Sequence, residues 1–292
     1  MRSRIDARRL SAGILCMSTL ALAAAPGASR AAAQAGPVAG APVAAAPPAA
    51  MPETERQAQA RAIMMKMAQF LAGTPRFRVS LQSGYDAVQQ SGQKIEFHEA
   101  RTVTVSRPAR LRVEGTRSDG AKALTVFTGK EVVLVDYASK VYAKAPQPGS
   151  LDESIVYFVR DLGMRLPLAA MLLGRLPAEL QERVRSVDYV ELTSINGVRT
   201  HHIAARGDTV DVQIWVAEGE RPLPQRVVLT YKMDRGQPQF WAEFSDWNLA
   251  PQLNDAMFAV PVPAGLQKVA FAAQLPRVSA AAPRAAPAKG VK

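Results

Sequence analysis

The side chains that could do acid, base or metal chemistry are few, and their spacing keeps them apart. The chain has three histidines, His98, His201 and His202. His201 and His202 are adjacent in a segment that alternates like a strand, so they point to opposite faces and cannot grip one metal ion together. Asp211 and Glu243 fall on segments read as neighbouring strands, where two carboxylates could divide acid and base roles. Alternating polar residues on a solvent face give the same pattern. Cys16 is the one cysteine and lies in the apolar leader, so the rest of the chain has no disulfide, thiolate nucleophile or thiolate metal site. A G-x-S-x-G elbow, a P-loop and a dinucleotide glycine pattern are all absent. The expectation is a protein that binds without chemistry, with no cofactor and no metal.

Both ends read differently from the middle. Residues 1–33 have the layout of a secretory signal: Arg2, Arg4, Arg8 and Arg9, then an uncharged apolar run from Leu10 to Ala25 that ends in small residues. The run is shorter than the ~20 residues of a membrane-spanning helix. Pro26 disfavours a cut after Ala25, which moves the expected cleavage to near Ala33 or Ala35. Residues 34–52 are nearly all Ala, Pro, Gly and Val, and residues 272–292 are rich in Ala and Pro with four basic side chains. Neither has the large apolar residues of a core, so both are expected as disordered tethers around one domain, 53–271. Of the net charge of +11, the first 33 residues carry +4 and the last 21 carry +4, leaving +3 on the domain. Its charges are scattered, not clustered among exposed aromatics, which argues against a nucleic-acid partner. The basic tail leaves transient contact with an anionic membrane surface open.

The elements follow from periodicity. ERQAQARAIMMKMAQFLAG is a helical pattern with Ile63, Met67, Phe70 and Leu71 on one stripe, ended by Gly73 and Pro75. FRVSL, KIEFHEARTVTVS, LRVEG, ALTVF, VVLVDY and the stretch from Lys140 to Lys144 then read as about six strands. Phe77, Val79 and Leu81 point inward. Ile95, Phe97, Val103 and Val105 share a face with Glu99 and Arg101, which predicts a bulge or a strand end at a rim. The unbroken VVLVDY predicts burial on both faces. DESIVYFVRDLGMRLPLAAMLLGRLPAEL predicts two short apolar helices, one with Ile155, Phe158, Val159 and Leu162 on its stripe, the other with Leu168, Met171, Leu172 and Leu176, broken at Gly163 and Pro167. Inserted between strands, they should cover the sheet as a plug or lid. Asn196-Gly197 marks a hairpin. From Val210 to Leu249 three more strands follow, with Phe240, Ala242 and Phe244 on one face of the last and Trp241, Glu243 and Trp247 on the other.

The F-x-V strand, Ser106-Arg107-Pro108 followed by Leu111-Arg112, Gly129-Lys130 before VVLVDY, the helical insert and the closing Phe258-x-x-Pro261-x-Pro263 resemble the LolA/LolB-like periplasmic lipoprotein carriers. His202, IWVAEGERPLP and FSDWNLAP resemble, more closely, an uncharacterised family of predicted periplasmic proteins grouped with those carriers. The resemblance implies a mainly β fold: a curved antiparallel half-open barrel of about eleven strands, with an N-terminal helix and a central helical lid over a cavity for acyl chains. It also implies that Arg107, in the Arg-Pro step, latches the lid. The helical insert is longer than the carriers' own.

The function expected is therefore non-enzymatic: a monomer, secreted across the inner membrane into the periplasm, that carries a lipid or an acylated protein. Met64, Met67, Phe70, Ile155, Phe158, Leu162, Leu168, Met171 and Leu172 are the candidate cargo and lid residues. Flexible thioethers suit a surface that repacks around variable cargo, and they serve equally as core filler. The alternative is an envelope sensor that offers the same fold to a protein partner.

Overall fold

Each alternating segment forms a strand, and the strands join in one sheet. A computed structural model describes residues 53–162, 164, 166–260 and 264–271. The signal segment 1–33, the linker 34–52, the tail 272–292, the helix break at Gly163 and the two prolines of the closing step lie outside the described residues. The first helix, α1, spans Glu53–Gly73. Six strands follow: β1 (Arg76–Val88), β2 (Lys94–Ser106), β3 (Arg110–Arg117), β4 (Lys122–Phe127), β5 (Glu131–Asp136) and β6 (Val141–Pro146). The insert holds α2 (Leu151–Arg160), a 3-10 turn at Ala169–Leu172, and α3 (Leu176–Arg183). Five long strands and one short strand follow among the described residues: β7 (Val184–Ile195), β8 (Val198–Gly207), β9 (Val210–Ala217), β10 (Pro224–Tyr231), β11 (Gln239–Asn248) and β12 (Gln267–Val269).

The twelve strands run in the order β12-β6-β5-β4-β3-β2-β1-β11-β10-β9-β8-β7. β1 joins the two meanders by pairing antiparallel with both β2 and β11. The sheet is open, not closed into a barrel, and only β12 runs parallel to its neighbour. Asn196 and Gly197 take φ of 48° and 80°, the left-handed pair that a two-residue hairpin of this twist requires.

Alternation gives the sheet two faces. The inner face carries Phe77, Val79, Leu81, Val105, Ile203, Val227 and Phe244, buried with Met64, Met67 and Leu71 of α1 and with α2. β5 is covered on both sides, as its unbroken apolar run predicts. Val132 belongs to the inner core, while Val133 and Val135 pack with Phe258 in a second cluster on the outer face. Arg112 Nη1 pins that cover by donating to the Met257 carbonyl oxygen at 2.9 Å.

Four readings need correction. Glu99 and Arg101 cause no bulge: β2 pairs with β1 and β3 without a register shift, and the two charges neutralise each other at 2.6 Å. Nor does the strand end there: β2 runs from Lys94 to Ser106, and it is Ile95 and Phe97, beyond the pair, that reach about 40 % exposure. Asp211 and Glu243 are not neighbours, since β10 lies between β9 and β11; Asp211 pairs with Lys232 and Glu243 with Arg226. The second apolar helix is a 3-10 turn and a separate α3, divided at Gly174 and restarted with Pro177 in the first turn of α3. Val159 leaves the buried stripe of α2, which is Leu151, Ser154, Ile155 and Phe158.

Candidate functional site

An apolar cleft opens between the inner face of the sheet and the segment from Leu166 to Leu172. Its floor follows from strand period: Phe77, Val79 and Leu81 of β1, Arg101 and Val103 of β2, Val113 of β3. Leu71 of α1 and Phe244 and Trp247 of β11 close one side, and Leu166, Leu168, Met171 and Leu172 form the roof. The empty space, open mouth included, is ≈ 640 Å³.

Trp247 corrects the sequence reading that places it opposite Phe244. Asp246 adopts φ 54°, and the β1–β11 register slips between Ser80↔Ser245 and Arg78↔Asn248. One extra residue on β11 turns the next side chain over. Trp247 therefore packs on Phe77 (5.6 Å) and Phe244 (5.7 Å), and its Nε1 donates to the Pro224 carbonyl oxygen at 3.1 Å. The signal for this is Ser-Asp ahead of Trp, a residue pair that tolerates a left-handed backbone.

The predicted site residues divide. Leu168, Met171 and Leu172 line the cleft. Met64, Met67, Ile155, Phe158 and Leu162 are each no more than 3 % exposed and pack in the core, with Phe70 half-buried against it. The floor residues of β1, β2, β3 and β11 are missing from the predicted set, although the alternation of FRVSL already points Phe77, Val79 and Leu81 inward.

The roof is held at its ends. Met164 N donates to the Phe158 carbonyl oxygen (2.9 Å), and Gly174 N and Arg175 N donate to the two carboxylate oxygens of Asp152 (2.9 and 3.2 Å). Between those anchors, the described backbone from Leu166 to Leu173 hydrogen-bonds only within itself and to Leu176. None of the residues of the 3-10 turn is buried.

Arg107 sits where three of these elements meet. Its Nε donates to the Thr74 carbonyl oxygen after α1 (3.2 Å), and its backbone N donates to the Pro75 carbonyl oxygen (2.8 Å). Its Nη1 lies 3.9 Å from Asp152 Oδ1, the carboxylate that holds the far end of the roof. Nη2 is buried without a hydrogen bond among the described residues. Burial pulls the guanidinium below its ordinary range, and Asp152 pulls it back up.

The histidines are occupied elsewhere. His201 Nδ1 meets the Tyr189 hydroxyl at 3.1 Å, and His202 Nε2 meets Gln213 Oε1 at 3.2 Å while its ring stacks on Trp215 at 4.0 Å. Arg226 continues that outer-face stack, 5.7 Å from the Trp215 centroid and 5.3 Å from that of Trp241. No group of three or more His, Cys, Asp or Glu that could hold a metal ion exists among the described residues.

Solved structures similar to this chain include an uncharacterised conserved protein from Thermus thermophilus (12 % identity, 73 % of this chain and 99 % of that one, TM-score 0.44). Others are lipoprotein LppX of Mycobacterium tuberculosis (12 %, 68 % and 99 %, 0.44) and LprF of Mycobacterium bovis (14 %, 72 % and 98 %, 0.43). No curated protein matches the chain. No helix among the described residues is long and apolar enough to cross a membrane. A family model matches residues 60–272, which take in the sheet, the helical insert and the cleft: the chain belongs to the predicted periplasmic proteins designated DUF2092.

Proposed function

We propose that this protein is a non-enzymatic periplasmic carrier that holds the acyl chain of a lipid or of an acylated protein in the cleft. The observation that carries this reading is an almost wholly apolar cleft whose roof has no hydrogen bond to the sheet. Such a roof can lift without leaving backbone groups of the sheet unpaired. Loading of a 16-carbon chain then proceeds by movement of the roof. Burial of that chain is worth on the order of 12 kcal/mol against water, at ~0.8 per CH₂. A chain drawn from a membrane is already out of water, so closure of the roof decides loading against release.

Arg107 is the latch in this reading, because it reaches the roof through Asp152 and holds the end of α1 through Thr74. Its long contact to Asp152 and its unpaired Nη2 fit a latch that opens readily. Native mass spectrometry of protein purified without detergent, followed by lipid extraction, tests the proposal. Co-purifying lipid or acylated protein is the expected result; uniformly ligand-free protein that also fails to take up an apolar dye would overturn it.

A further inference from the structure

The cleft has one charged residue in its lining, Arg101. Positions 99 and 101 are two apart on β2 and so share the inner face, with Glu99 opposite Ser83 and Arg101 opposite Leu81 of β1. On the other side Arg101 faces Gly115 of β3, and the Glu99 carboxylate lies over that glycine. The pair is largely withdrawn from water, with side-chain exposures of 26 % and 16 %. Stability does not require it, since a well-packed apolar pair at such positions is commonly as stable or more so.

Arg101 also keeps donors in reserve. A guanidinium has five N–H groups; Arg101 Nη2 donates to Glu99 Oε2, and its Nε and Nη1 have no hydrogen bond among the described residues. Arg226 on the outer face differs: it pairs with Glu243 and is stacked against two indoles. Arg112 likewise divides its donors between Glu114 and the Met257 carbonyl oxygen.

Burial along β2 gives the site a direction. Phe97 is 41 % exposed at the rim, Val103 is half-buried and Val105 is fully buried. Arg101 stands between, four residues or about 13 Å of strand from Val105. An amphiphile whose tail runs toward Val105 and Phe77 would put its head at Arg101, still within reach of solvent.

Resting on the carrier reading, we propose that the cleft selects amphiphiles with an anionic head, a carboxylate or a phosphate ester, and that Arg101 is the specificity-determining residue. The anion takes up the free Nε and Nη1 donors, a bidentate geometry that suits both head groups.

The test is displacement of a neutral apolar dye from the full-length mature protein by three ligands of equal tail: a 16-carbon carboxylate, a 16-carbon alkyl phosphate and a 16-carbon alcohol. Inorganic phosphate is run alone. The two anionic amphiphiles should bind roughly 10-fold or more tightly than the alcohol, as a charge-assisted hydrogen bond implies, and inorganic phosphate should displace nothing. Arg101→Leu should bring the anion-to-alcohol ratio close to one, and Glu99→Gln should raise it by removing the competing carboxylate. The double variant Glu99→Gln/Arg101→Leu leaves no unpaired charge, so it gives the same reading if the single leucine variant is unstable. Equal binding of alcohol and anions by the wild type, or a preference retained without Arg101, overturns the proposal and leaves the cleft as a plain apolar site. Failure of all three amphiphiles and the dye to bind overturns the carrier reading with it.

Discussion

The two halves of the helical insert have similar composition and opposite roles. α2 is fastened to the core: Leu151, Ile155 and Phe158 are buried, and the Phe158 ring meets Phe127 edge-on at 5.5 Å. Its first turn is closed by a capping box, Ser150 accepting from Glu153 N while Glu153 accepts from Ser150 N. The roof from Leu166 to Leu172 is also rich in large apolar side chains, Leu166, Leu168, Met171 and Leu172, yet its 3-10 turn has none fully buried and, among the described residues, no bond to the sheet. One half is an anchor and the other a cover. The difference shows that apolar content alone does not separate a core element from a binding surface. Whether the side chains reach the core does.

Phe158→Ala strikes the anchor and has the largest expected effect. Removing a fully buried ring costs about 3–5 kcal/mol, which lowers the melting temperature of a domain this size by roughly 6–20 °C. Circular-dichroism melting checks it, and a fall of under about 2 °C would mean that α2 is no anchor. Next in size is Arg107→Leu, which removes the hydrogen bond to Thr74 and the 3.9 Å ion pair with Asp152, the one side-chain contact through which Arg107 reaches the roof. Loss of an ion pair worth up to about 1 kcal/mol should let apolar ligand bind up to roughly 10-fold more tightly and leave more slowly. Unchanged or weaker affinity would retire the latch.

Leu172→Glu addresses the cover directly. A carboxylate in the roof should weaken uptake of an environment-sensitive apolar dye by on the order of 10-fold, while the melting temperature moves much less than in Phe158→Ala. Collapse of the fold instead would place Leu172 in the core. The smallest effect is a pH effect on the sheet that touches neither half of the insert. Burial lowers the His201 value below its ordinary 6.5, Glu218 pushes it back up, and Arg199 lowers it further. The folded state thus holds a neutral imidazole where the unfolded chain begins to bind a proton. Its stabilisation is complete above about pH 6.5 and is lost as pH falls from there through the lower folded value. Melting at about pH 7.5 and 5.5, on either side of that value, should show a shallower loss for His201→Phe than for the wild type; equal losses would exclude His201 as the cause.

Strand existence and inward alternation are legible in the sequence because period two is a local property: FRVSL already shows the floor of the cleft. The Asn196-Gly197 turn is legible for the same reason. The division of the insert is not, since Ile155 and Met171 both sit on apolar stripes, and a stripe does not say whether sheet or open space lies beneath it. Trp247 is misplaced by alternation alone because a single left-handed residue, Asp246, reverses every alternation after it. The pairing of Asp211 and Glu243 fails on topology, because strand proximity in the chain says nothing about β10 standing between them.

The same bulge at Asp246 has an optical consequence. Of the three tryptophans, Trp247 alone lines the cleft, whereas Trp215 and Trp241 stand on the outer face against His202, Arg226 and His98. Acyl chains entering the cleft would exclude water from one indole and leave two untouched, so loading should appear as a partial blue shift of emission that Trp247→Phe abolishes.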